Sequence, residues 1–142
     1  MIALDVNVLV SAFHAGTPDH APMRRWLEDA VNGSEQVAVS DAVLAGVVRV
    51  MTHPRVFDPP ADVDEVVAQV DALLAQPGVV VVRPLPGHWA VFRGLLDEGA
   101  ARGNRAADAH HAATAVQHGA TFVSKDRDFA RFPSLTWRVP RP

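Results

Sequence analysis

Four aspartates occupy positions where an ordinary solvated charge would not be placed. Asp5 interrupts MIALDVNVLV, in which eight of ten residues are apolar. A carboxylate among buried neighbours is costly unless a cation or good donors meet it. Asp108 begins DAHHAA (Asp108–Ala113) in a segment that reads as helix. At about 100° per residue its carboxylate falls on the arc of Ala109, Ala112, Ala113, Ala115 and Val116, which points at the rest of the protein. His110 and His111 fall on the polar arc and read as surface residues. Asp126 and Asp128 follow a short apolar strand pattern in Ser124-Lys125-Asp126-Arg127-Asp128-Phe129. Each acid also has a purely structural use. Asp5 or Asn7 can cap a following helix, Arg49 can pair with Asp108, and Asp126 can cap a short turn through Arg131.

Taken together, the acids imply chemistry. Carboxylates converging on one crevice repel one another unless divalent cations sit among them. All-oxygen ligation suits Mg²⁺ or Mn²⁺ rather than zinc. Such cations polarise a phosphoryl oxygen and activate water, so the reaction class is metal-assisted hydrolysis. Charge is distributed to match. Residues 1–101 carry a net −7 and residues 102–142 a net +4. Arg102 and Arg105 precede the Asp108 helix, while Lys125 and Arg127 alternate with Asp126 and Asp128, and these four are the candidate phosphate contacts.

The elements that must position these groups alternate between strand and helix. Strands are expected at Ile2–Asp5, Gln36–Ser40, Val79–Val82, Thr121–Ser124 and near Leu135–Val139, with the VVVV run central. Helices are expected at Asp19–Val31, Asp41–Thr52, Asp62–Ala75, Gly87–Arg102 and Ala106–His118. That alternation implies parallel crossovers and a sheet covered on both faces, an α/β fold in one domain over residues 1–142. Asp5 and the Asp126/Asp128 pair then follow separate parallel strands, where α/β sheets bind ligands.

Composition removes other classes. The chain has 142 residues, 49% of them apolar, and a net charge of −3, which excludes low-complexity disorder. With no cysteine there is no disulfide scaffold, zinc finger or Fe–S cluster, and a reducing cytoplasm is permitted. No apolar run is long enough for a membrane span, and the N-terminus does not read as a secretory signal. Asp5-Val6-Asn7 lacks the second acid of a haloacid-dehalogenase-type phosphatase. VVVVRP lacks the phospho-accepting acid of a receiver domain, and neither GxGxxG nor a GK[ST] loop occurs.

Four ordered blocks, Asp5-Val6-Asn7-Val8-Leu9, Val43–Phe57, Asp108–Ala113 and His118–Phe132, together resemble PIN-domain ribonucleases, most nearly the VapC toxins of bacterial toxin–antitoxin pairs. The resemblance implies a three-layer α/β/α sandwich with a mostly parallel central sheet. It also implies a cytoplasmic, Mg²⁺- or Mn²⁺-dependent endoribonuclease acting on tRNA or rRNA, a VapB-type antitoxin partner and a homodimer. By this resemblance Asp5, Asp108 and Asp126 are metal ligands, Asp128 is the additional acid, and Asn7 and Ser124 support Asp5. Arg102, Arg105, Lys125 and Arg127 become RNA contacts. The family pattern has a glutamate where this chain has Gly46, and Asp41 lies too far round the helix to replace it. A PIN-like module that binds RNA or antitoxin without hydrolysis is therefore the alternative. The helices expected at 41–52 and 62–75 carry a surplus of Val, Leu and Ala, with Trp26 and Phe57 near their ends. They suggest a groove for an amphipathic antitoxin segment that sends an arginine into the acidic site.

Overall fold

The computed structural model describes residues 1–142. Five strands form one sheet: β1 (Ile2–Leu4), β2 (Val37–Ser40), β3 (Val79–Val82), β4 (Thr121–Val123) and β5 (Trp137–Arg138). All pairings are parallel, and the order is β3-β2-β1-β4-β5. Helices α1 (Val6–Phe13) and α2 (His20–Asn32) connect β1 to β2, α3 (Asp41–Met51) and α4 (Val63–Leu74) connect β2 to β3, and α5 (His88–Glu98) and α6 (Arg105–Gln117) connect β3 to β4. No helix is long and apolar enough to cross a membrane.

Strand alternation separates two apolar layers. Ile2, Leu4, Val37 and Val39 face α1–α4, packing with Val8, Leu9, Val43, Val47 and Val66. Ala3, Ala38 and Phe122 face the opposite layer with Leu95, Ala109, Ala112, Phe129 and Phe132. The alanines of β1, β2 and α6 carry little bulk, which lets α6 lie close to the sheet. The result is the expected α/β/α sandwich. Its sheet is wholly parallel.

The VVVV strand lies at an edge and not in the centre. Val79 and Val81 pack into one layer while Val80 and Val82 pack into the other. The apolar run thus records two covered faces, and a strand can have those without a hydrogen-bonding neighbour on each side. Helix α5 also stops four residues before the expected Arg102. The chain leaves the helix at Ala100, which takes a left-handed φ of 44°, and Gly99 before it has no room for a side chain beside Phe132.

From β1 the chain winds outward through β2 to β3, then returns to the other side of β1 as β4. The order therefore reverses between β1 and β4. Their carboxyl ends flank the crevice where such sheets bind ligands.

Candidate active site

Asp5 is the first residue beyond β1 and Ser124 the first beyond β4. Because Leu4 pairs with Val123, the two side chains become neighbours at the switch point. Asp5 Oδ1 accepts from the Val6 amide at 2.7 Å, capping α1. Its Oδ2 accepts from Ser124 Oγ at 2.5 Å and from Asn7 Nδ2 at 2.7 Å. Capping and carboxylate placement are thus one arrangement, served by the two oxygens of a single side chain. Asn7 also accepts from the Lys125 amide at 3.0 Å and donates to Ser124 Oγ at 3.0 Å, tying the two strand ends together.

Burial dominates the electrostatics. Asp5 is 6% exposed, and desolvation pushes its pKa up to about 6 despite the donors from Ser124 and Val6; Asp108 and Asp126 push it further in the same direction. Asp108, in the first turn of α6, is likewise raised, first by burial and then by Asp126; Arg131 and Arg105 draw it down. No ion pair reaches Asp108, either from Arg49 or from these two arginines. Asp126 caps a short 3₁₀ turn over Arg127–Arg131, its Oδ1 accepting from the Asp128 amide at 2.8 Å.

Asp5, Asp108 and Asp126 line one groove of about 540 Å³, together with Asn7, Lys125, Arg49 and His111. Asp128 does not line it. Its carboxylate lies 3.3 Å from both Arg105 and Arg131, so two of the C-terminal cations are engaged beside the groove. Lys125 lines the groove, but its ammonium is bound by Asp19 at 2.5 Å and Ser11 Oγ at 2.6 Å. That contact holds the Asp19 pKa below its ordinary value. Arg102 and Arg127 are exposed and lie outside the groove.

His111 departs from the surface position its helical arc implies. It is only partly exposed and lines the groove, with Nδ1 buried and unpartnered. Burial, with His110 adding to it, lowers its pKa to about 4. The signal was available, since His111 is three residues beyond Asp108 and such pairs share a helix face. His110 is half-buried too, within hydrogen-bond reach of His88 at 3.0 Å. The polar arc failed because α6 is covered both by the sheet and by α5.

No three His, Asp or Glu side chains are close enough to enclose a metal ion by themselves. The donor chemistry nevertheless fits a hard divalent cation. Mg²⁺ retains several waters and is held by one or two carboxylates together with substrate phosphate, so it needs no closed protein cage. Asp5 and Asp108, raised chiefly by burial and further by neighbouring carboxylates, are the groups that such a charge would relieve.

Known proteins resemble the chain in sequence and in fold. The family model described as PIN domain matches residues 2–135. Ribonuclease VapC43 of Mycobacterium tuberculosis is 46% identical over 140 residues, covering 99% of this chain and 95% of the relative. Ribonuclease VapC31 of the same organism is 38% identical, covering 95% of each. Among solved structures, VapBC2 from Rickettsia felis bound to a promoter DNA fragment superposes with a TM-score of 0.72 at 20% identity, covering 98% of each chain. VapC20 of Mycobacterium tuberculosis, a Sarcin-Ricin loop cleaving toxin, gives 0.67 at 18% identity, covering 96% of this chain and 99% of that one. The chain belongs to the PIN domain family, among the VapC ribonucleases.

Proposed function

We propose that this protein is the toxin of a VapB–VapC-type pair and hydrolyses RNA phosphodiester bonds with the help of Mg²⁺ or Mn²⁺. The observation that carries the proposal is the buried Asp5 carboxylate at the β1/β4 switch point, with Asp108 and Asp126 beside it. Asp5 and Asp108 would hold the cation, with Asp126 completing the set. When bound, the cation supplies a Lewis acid for the phosphoryl oxygen and an activated water. Asn7 and Ser124 fix the rotamer of Asp5 through its Oδ2. Asp128 orients Arg105 and Arg131 at the groove edge and does not act as a ligand. The substrate class is unpaired RNA, in tRNA or rRNA loops, whose phosphates and bases are reachable without opening a helix.

An antitoxin partner is supported by the likeness to VapBC structures and by an apolar groove of about 530 Å³. The groove differs in place from the expected one. It is lined by Phe13, Leu27, Val31 and Leu73, of α1, α2 and α4. The apolar positions of α3 instead belong to the core, and Trp26, next to Leu27 in α2, lines a different pocket with Arg138. Phe57 lines a separate adjoining cavity. An amphipathic peptide matching the cognate antitoxin's C-terminal segment should bind this groove, and a charge at the partly exposed Val31 (Val31→Asp) should weaken it.

Incubating purified protein with total RNA, with and without divalent cation, tests the enzymatic reading. Cation-dependent cleavage lost in Asp5→Asn supports it. RNA binding with no cleavage under any divalent cation would leave the non-hydrolytic module, the reading that Gly46 favours by removing a carboxylate.

A further inference from the structure

We propose that Arg49 and His111 form a two-sided clamp for the RNA strand, gripping it from opposite layers of the sandwich as it crosses the carboxylates. The clamp rests on the nuclease reading above. Arg49 lies in the last turn of α3, in the α1–α4 layer, and His111 lies in α6 on the other face of the sheet. Both line the same groove.

Arg49 and Lys125 are the two cations in the groove lining, and Lys125 is engaged by Asp19 and Ser11. Arg49 is exposed and makes no ion pair, whereas Arg83, Arg105 and Arg131 each find a carboxylate. A free guanidinium in an acid-lined groove suits an incoming anion. Its planar fork matches two phosphate oxygens, and its charge offsets the repulsion that the carboxylates exert on the strand.

His111 supplies a different kind of contact. Its ring makes no hydrogen bond in the fold, and Nδ1 is the ring atom buried without a partner. Buried N–H groups without an acceptor are rarer in folded proteins than acceptors with an unfilled lone pair. Hydrogen-bond balance therefore assigns the proton to Nε2, the ring nitrogen left to face the groove. There it is an uncharged donor, suited to a phosphate oxygen or a ribose 2′-hydroxyl. The two contacts consequently differ in their response to salt.

That difference makes the clamp testable. Binding of a fluorescein-labelled polyuridylate strand is measured by anisotropy over a salt series, in an Asp5→Asn background that keeps the strand intact. Adding Arg49→Ala should weaken binding about tenfold, the scale of one charge-assisted hydrogen bond. It should also flatten the log–log salt slope by about 0.7. Arg49→Lys should keep the slope while losing part of the affinity. Adding His111→Ala should weaken binding about threefold with the slope unchanged. Melting temperatures check each fold, and Arg49→Gln replaces the alanine variant if that one melts early. Unchanged affinity and slope in the Arg49 variants would overturn the clamp while leaving the nuclease reading intact. If the Asp5→Asn parent itself binds no RNA at low salt, the nuclease reading falls and the clamp with it.

Discussion

A Cβ placed on Gly46 would lie 2.7 Å from Val6 Cγ2. Val6 follows the key carboxylate Asp5, and Gly46 stands where the family pattern carries a glutamate, so the missing acid is a matter of packing as well as of residue identity. Valine is branched at Cβ and has few χ1 rotamers with which to make room. Gly46→Glu alone should therefore lower stability by about 1–3 kcal/mol through overpacking. Val6→Ala should relieve the clash, giving a favourable coupling of about 1 kcal/mol in a double-mutant cycle by urea melts. The Val6→Ala/Gly46→Glu protein should also bind Mn²⁺ more tightly by calorimetry. A Gly46→Glu protein as stable as the parent would show that Val6 does not guard this position.

Stability should respond to pH through two opposing groups. Asp5 titrates near 6 in the folded protein against 3.8 unfolded, so the folded state binds the extra proton between those values. Its contribution falls as pH rises through that window, by about 3 kcal/mol in full. Asp108, also raised, acts in the same direction. His111 titrates near 4 folded against 6.5 unfolded, so there the unfolded state holds the extra proton and stability rises with pH. Chemical melts from pH 4 to 7 should show a shallow profile for the parent. Asp5→Asn should steepen the rise with pH, and His111→Gln should reverse it into a fall. Identical profiles in all three would contradict the burial of both groups.

Asp128 should matter less than the other acids. Its carboxylate pairs with Arg105 and Arg131 at partly exposed positions, where such pairs contribute up to about 1 kcal/mol. Asp128→Asn should reduce RNA cleavage by no more than about fivefold, against near-complete loss in Asp108→Asn. Equal losses in single-turnover assays would put Asp128 among the groups that touch the reacting centre.

Much of the site was legible because burial anomalies are local. An acid inside MIALDVNVLV, and another on the alanine arc of α6, mark themselves without any knowledge of the fold. Strand–helix alternation supplied the parallel sheet and hence the crevice. What was missed depends on long-range placement. The Lys125–Asp19 contact spans more than a hundred residues, so no periodicity encodes it, and Lys125 read as a free phosphate contact. Arg49 stands in the sequence as one possible structural partner for Asp108, and no ion pair joins the two. The VVVV strand shows the same limit, since apolar faces reveal coverage but not order in the sheet.

Mn²⁺ should stabilise the metal-free protein, because a cation that binds only the folded state shifts the equilibrium by linkage. The melting temperature should rise with millimolar Mn²⁺ and the rise should vanish in Asp5→Asn. Binding should release protons near pH 6, where Asp5 is partly protonated. Absence of any thermal shift would remove the cation from the groove.

The proposed RNA hydrolysis depends on a cation held by the buried carboxylate of Asp5 and the partly buried one of Asp108. Its most direct test is the rate of RNA cleavage by purified protein, titrated with Mg²⁺ and Mn²⁺ after exhaustive chelation, beside Asp5→Asn and Asp108→Asn proteins of verified fold. The expected result is no cleavage without divalent cation, saturable activation on adding it, and near-complete loss in both variants. Undiminished cleavage in the presence of chelator, or a fully active Asp5→Asn protein, would contradict it.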